Sequence, residues 1–162
     1  MDLSVWFIIK MNNIDLKMLN ECIIGTYTIN CDGSIDVNGS IALNDKKLEK
    51  IPFKFRNVYG IFYCCNNKLT SLNGVPDTVG NSFYCNNNQL TSLEVVPNNV
   101  GGDFFCHDNP NLPYSELFKI VDRVRGDIYY SCFNIPEDKD KIRRDRDVSP
   151  ILKDDELGDL DV

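Results

Sequence analysis

One spacing constrains this chain more than any other. The segment Val58-Tyr-Gly-Ile-Phe-Tyr-Cys-Cys-Asn-Asn-Lys-Leu-Thr-Ser-Leu72 returns 21 residues later as Val79-Gly-Asn-Ser-Phe-Tyr-Cys-Asn-Asn-Asn-Gln-Leu-Thr-Ser-Leu93. A third copy, Val100-Gly-Gly-Asp-Phe-Phe-Cys-His-Asp-Asn109, starts on the same beat. One step upstream, Val37 to Ile51 keeps the apolar positions while its surface residues change. A unit this short buries little by itself, so equal units must stack, and a fixed period of this size predicts a solenoid.

Within a unit, side-chain parity separates inside from outside. Phe62 and Cys64 alternate with Tyr63, which sets one parity toward a core and the other outward. Leu69, Leu72, Leu90 and Leu93 return to the core, and Pro76 and Pro97 stiffen the return segment. Asn67, Asn88 and Asn109 hold the same place in each unit, where an inward amide at a bend is expected to bond the backbone of its own and the next coil. Gly126-Asp-Ile-Tyr-Tyr130 echoes Gly102-Asp-Phe-Phe-Cys106 and adds a last coil. The outward place beside the core ring then reads Ala42, Tyr63, Tyr84, Phe105 and Tyr129. At the ordinary strand spacing the four rings form a column ~15 Å long.

The flanks divide the chain. Residues 1–36 are expected to form an N-terminal cap. Val5 to Ile9 is either a strand or an apolar arm, Met11 is an alternative start, and Asn13 is a candidate cap for a helix with Ile14, Met18 and Cys22 on one side. A small hairpin of 27–30 with 34–37 is expected around Asp32-Gly33. Residues 37–113 carry the repeats. Residues 114–136 supply a capping helix, with Leu117, Phe118, Ile120, Val121 and Val124 on one face, and a closing strand. The acid-rich remainder, 137–162, reads as a mobile or loosely docked tail. The fold class is therefore an α+β repeat: a short solenoid with a parallel sheet of four or five strands between two caps.

Composition removes several functions. The 162 residues are 43% hydrophobic and 25% charged, with a net charge of −7, which disfavours a protein that neutralises phosphates. The seven cysteines are odd in number and contain no Cys-x-x-Cys pair. No secretory signal is visible, and Val5 to Ile9 is far shorter than the ~20 residues of a membrane span. A cytoplasmic protein with reduced thiols is expected. Cys64, Cys85 and Cys106 read as core filler, because a straight column cannot surround one metal ion tetrahedrally. His107 is the sole histidine, and Cys65 lies two coils from it, ~10 Å away by strand spacing, beyond nucleophile–base contact. No catalytic residues, metal site or cofactor are expected.

The units resemble leucine-rich repeats of the pattern L-x-x-L-x-L-x-x-N-x-L, with Phe83, Cys85, Asn88 and Leu90 in its last four fixed places. They are more narrowly similar to short repeat proteins of bacteriophages and some bacteria, built from V-G-G-x-F-x-C-x-x-N-x-L-T-S-L units after a D-G-S-I-D-V-x-G segment, here Asp32 to Gly39. Gly80 and Gly101 depart from the first pattern Leu, and Lys46 stands where the asparagine series would begin. The resemblance implies binding through the strand face, and so names Tyr63, Tyr84, Phe105 and Tyr129 with Asn66, Asn87, His107 and Asp108 as partner-binding residues; the alternative is a ring column that only stabilises the sheet or is covered by the N-terminal arm or the tail, beside ordinary solvated polar side chains. It implies a phage-encoded, non-enzymatic module that grips a host protein, for example a defence nuclease or CRISPR effector. Direct nucleic-acid or membrane binding is not expected. An acidic decoy of nucleic acid and a virion component are the alternatives.

Overall fold

A computed structural model describes Trp6, Ile9, residues 15–131 and residues 136–155, with side chains of the last segment described to Val148. The expected arm at Val5 to Ile9, the Met11 start, the Asn13 cap, Cys132 and the last seven residues fall wholly or largely outside that description.

The chain opens with α1 (Leu16–Cys22). Asp15 caps it, its Oδ1 accepting from the Lys17 and Met18 N–H groups at 3.0 Å. Leu19 and Cys22 carry the buried side, while Met18 is only half-buried. β1 (Ile23–Ile29) then pairs antiparallel with β2 (Ile35–Ala42) along its full length, from Ile23 opposite Ile41 to Ile29 opposite Ile35. The hairpin is thus longer than the sequence suggested. Its turn is fixed by Gly33 at φ 77° and by the Ser34 N–H bonded to the Asp32 carboxylate at 3.0 Å.

β2 belongs to the first coil and seeds two parallel ladders. Its first half pairs with β3 (Phe55–Val58), followed by β5 (Thr78–Val79) and β7 (Asn99–Val100). Its second half pairs with β4 (Phe62–Tyr63), followed by β6 (Phe83–Tyr84), β8 (Phe104–Phe105) and β9 (Ile128–Tyr129). The result is a parallel-strand solenoid of about five turns. The sequence reading foresaw the ladder at the phenylalanines and not the one at the valines. The later coils break the long strand of the first in two, into strands of 4 and 2 residues in the second coil and of 2 residues each in the third and fourth, with a glycine corner between them. The corner explains the departures at Gly80 and Gly101. A Cβ on Gly80 would sit 2.2 Å from the Tyr59 carbonyl oxygen, and one on Gly101 2.2 Å from that of Gly80, so only glycine lets the coils close there.

The core is a stack of repeated positions. Phe62, Phe83 and Phe104 are fully buried and stack at 5.4 and 5.2 Å. Cys64, Cys85 and Cys106 lie behind them, with Leu69, Leu72, Leu90 and Leu93 on the return side. The asparagines close each bend. Nδ2 of Asn88 donates to the Cys85 carbonyl of its own coil at 3.1 Å and to the Cys64 carbonyl of the preceding coil at 3.0 Å. Its Oδ1 accepts from the Leu69 N–H at 3.0 Å. Asn109 repeats this toward Cys85 and Leu90, and Asn67 toward Leu43 and Leu48. Each amide therefore serves its own and the preceding coil, not the next. Lys46 needs no asparagine: Asn67 reaches back and accepts its backbone N–H at 3.1 Å.

The far end closes differently from expectation. A 3-10 helix, Tyr114–Lys119, replaces the α-helix and buries Leu117, with Ile120, Val121 and Val124 following it into the core. Glu116 in this helix reaches back to the third coil, accepting the Leu93 N–H at 2.6 Å and the Ser92 hydroxyl at 2.9 Å. Where composition suggested a loose tail, α2 (Lys139–Asp155) forms instead. Asp138 caps it at 2.9 and 3.1 Å, and Ile142 is 0% exposed. Arg143 and Arg146 clasp Asp122, Lys141 and Tyr114 share Asp145, and the Lys139 ammonium caps the Val124 and Gly126 carbonyls. One apolar anchor with several ion pairs docks a stretch whose average composition is that of a solvated chain.

Candidate functional site

The outward parity of β4, β6, β8 and β9 forms a regular surface. Register pairs Tyr63 with Tyr84, Tyr84 with Phe105 and Phe105 with Tyr129. Their rings lie 4.8, 4.3 and 4.4 Å apart, with interplanar angles of 24°, 5° and 5°. Stacking this tight spends the ring faces on one another. What the column shows outward is ring edges and tyrosine hydroxyls, and each of the four residues is half-buried. Partial burial, followed by the neighbouring Tyr63 and Asp103, raises the Tyr84 pKa, and Tyr129 is raised by desolvation and by Asp103 and Asp127. The Tyr84 and Tyr129 phenols therefore stay protonated and available as donors well above neutral pH.

Two polar rows flank the column. On the corner side stand Ile61, Ser82, Asp103 and Asp127. Ser82 and Asp103 are partly committed to the fold: the Ser82 hydroxyl accepts the Asp103 N–H at 3.1 Å, and the Asp103 carboxylate accepts the Asp127 N–H at 2.9 Å. On the turn side stand Cys65, Asn86 and His107, all half-buried. His107 meets Phe105 edge-to-face at 6.5 Å, and its Nδ1 lies 2.7 Å from the Asp108 carboxylate. The Asn86 Oδ1 is buried and has no hydrogen-bond partner among the described residues.

Asn66, Asn87 and Asp108 stand one place further along, and the backbone explains their identity. Their φ values are 56°, 53° and 54°, and Asp45 at 60° starts the row. The first four coils each turn through a left-handed residue there, a conformation that Asn and Asp tolerate better than other non-glycine residues. The Asn87 amide also donates to Asn66 Oδ1 at 2.8 Å. The sequence signal was present, an Asn or Asp every 21 residues, but it reads equally as a polar rim. These three residues border the column and are first of all turn formers.

Five of the six described thiols, Cys22, Cys64, Cys65, Cys85 and Cys106, are poor nucleophiles. Burial pushes Cys64, Cys85 and Cys106 well above the ordinary thiol range, and Cys22 up to about 11. Cys65 is raised by desolvation, then by Asp45. The six described cysteines are free. Among the described residues, no three His, Cys, Asp or Glu side chains gather to hold a metal ion, and no helix is long and apolar enough to cross a membrane. No known protein family, characterised protein or solved structure matches the chain, so its face has to be interpreted from its own chemistry.

Proposed function

We propose that this protein is a non-enzymatic interaction module that binds another protein across the outer face of β4, β6, β8 and β9. The observation that carries the reading is the stacked file Tyr63, Tyr84, Phe105 and Tyr129. Aromatic residues are favoured interface anchors, and a rigid file pays little ordering entropy on binding. The charged side chains beside the file, Asp103, Asp127 and Asp108, are acidic and lie toward the C-terminal coils. Their sign favours a partner with basic and hydrogen-bonding groups. Similarity of the units to short phage repeat proteins supports a phage origin and a host protein as the target, with inhibition of a defence or CRISPR effector as the consequence.

Affinity capture from bacterial lysate tests this, using the wild-type chain beside a Tyr84→Ala/Phe105→Ala variant of unchanged far-ultraviolet circular dichroism. A protein retained by the first and lost by the second supports the reading. Equal capture by both removes the column from function. Loss of capture on deleting 148–162, with steep weakening by salt, would favour the acidic decoy.

A further inference from the structure

The two ends of the stack manage their open strand edges in different ways. At the C-terminal end both ladders finish short. β9 is 2 residues long, follows Asp127 and gives its Ile128 carbonyl to the Glu137 N–H at 2.7 Å. β7 is 2 residues long, and Val100 is bridged onward to Val124 between Arg123 and Arg125. Short strands and flanking charge are the usual protection against edge-to-edge pairing.

The N-terminal end has no such protection among the described residues. β1 is 7 residues long and is paired on one side by β2. Its sequence, Ile23-Ile-Gly-Thr-Tyr-Thr-Ile29, has no charge and no proline. Ile24, at 63% exposure, stands with exposed Thr26 and Thr28 on its outer side. α1 packs on the core side, where the Tyr27 hydroxyl donates to Asn20 Oδ1 at 2.9 Å.

We propose that β1 pairs antiparallel with the β1 of a second copy of this chain, about a two-fold axis through Thr26. The strand is complementary to itself in that register. Ile23 meets Ile29, Ile24 meets Thr28, Gly25 meets Tyr27, and Thr26 meets its own copy. β-branched pairs and threonine pairs stabilise antiparallel neighbours, and an aromatic residue covers a glycine opposite it. Charge points the same way. Two chains of net charge −7 repel, and an uncharged seven-residue edge is where they can approach. A two-fold axis normal to the sheet then sets both aromatic files on one side of a continuous sheet. This inference does not depend on the partner-binding role of those files.

The test is sedimentation equilibrium of the full chain up to about 200 µM, a range suited to a small interface. The wild type should be dimeric, and more so as salt screens the net charge. Thr26→Lys and Thr26→Glu, each placing like charges on the axis, should each weaken association at least tenfold with unchanged melting temperature. Mixing the two variants should restore a 1:1 dimer. A wild type that stays monomeric, a Thr26→Lys variant that associates as the wild type does, or a mixture that stays monomeric would each overturn the proposal. A chain that dimerises only after removal of residues 1–14 would show that its own first residues occupy the edge, which also overturns it.

Discussion

Two files of aromatic rings run along this molecule, one residue apart in sequence and on opposite sides of one sheet. The inner file, Phe62, Phe83 and Phe104, is fully buried with rings 5.4 and 5.2 Å apart. The outer file, Tyr63, Tyr84, Phe105 and Tyr129, is stacked more tightly, at 4.3 to 4.8 Å, yet half-exposed. Register imposes the alignment of both. Their energetics differ because only the inner rings exchange water for leucine and cysteine on every side. Regular stacking alone therefore does not tell a core from a working surface; burial does.

The largest effect should come from the inner file. Phe83→Ala should destabilise the fold by about 3–5 kcal/mol, and Tyr84→Ala, one position along, by about 0.5–1.5 kcal/mol. Urea denaturation of the two variants measures the gap, and equal losses would make the outer file part of the core.

Next come the bends. Asn88→Ala leaves the buried Leu69 N–H bare, at about 1–3 kcal/mol, while the Cys64 and Cys85 carbonyls keep the Asn67 and Asn109 amides as donors. Lys46→Asn at the matching place of the first coil should change stability by less than about 0.5 kcal/mol, since no preceding coil exists for it to serve. A clear gain from Lys46→Asn would contradict the backward reach of these amides.

The smallest effect belongs to the surface of the first coil. The Arg56 side chain, helped by bonds from Asn30 and Asn57, holds Asp36 from its usual 3.8 down to about 2. A carboxyl group depressed in the folded state stabilises above its unfolded pKa and loses that contribution as pH falls through the folded one. Melting temperature should therefore drop between pH 4 and 2, and Asp36→Asn should flatten that part of the profile. An unchanged slope would mean that other carboxylates dominate acid unfolding.

Much of this architecture was legible because period and parity are properties of the sequence itself. Phe83 beside Tyr84 already separates inside from outside, and the 21-residue offset already sets the rings in file. The valine ladder was hidden because strands as short as Thr78–Val79 leave no room for alternation to show. The direction of the asparagine bonds was hidden because spacing fixes a position in the coil but not which neighbour the amide faces. α2 escaped because a single residue, Ile142, anchors a stretch dominated by charge. The backbone role of the turn residues was hidden for a subtler reason: a left-handed backbone and a polar contact surface ask for the same amino acids, and Asn66, Asn87 and Asp108 satisfy both descriptions.

The backward-facing amides carry an evolutionary consequence. The second, third and fourth coils each arrive, through Asn67, Asn88 and Asn109, with the hydrogen-bonding group that completes the bend before them. A duplicated copy of residues 79–99 would meet that requirement at both of its borders, as would the gap left by deleting it. The protein can thus be lengthened or shortened by whole units without redesign, and each step moves its row of rings by one tooth, like a ratchet cut at a single pitch.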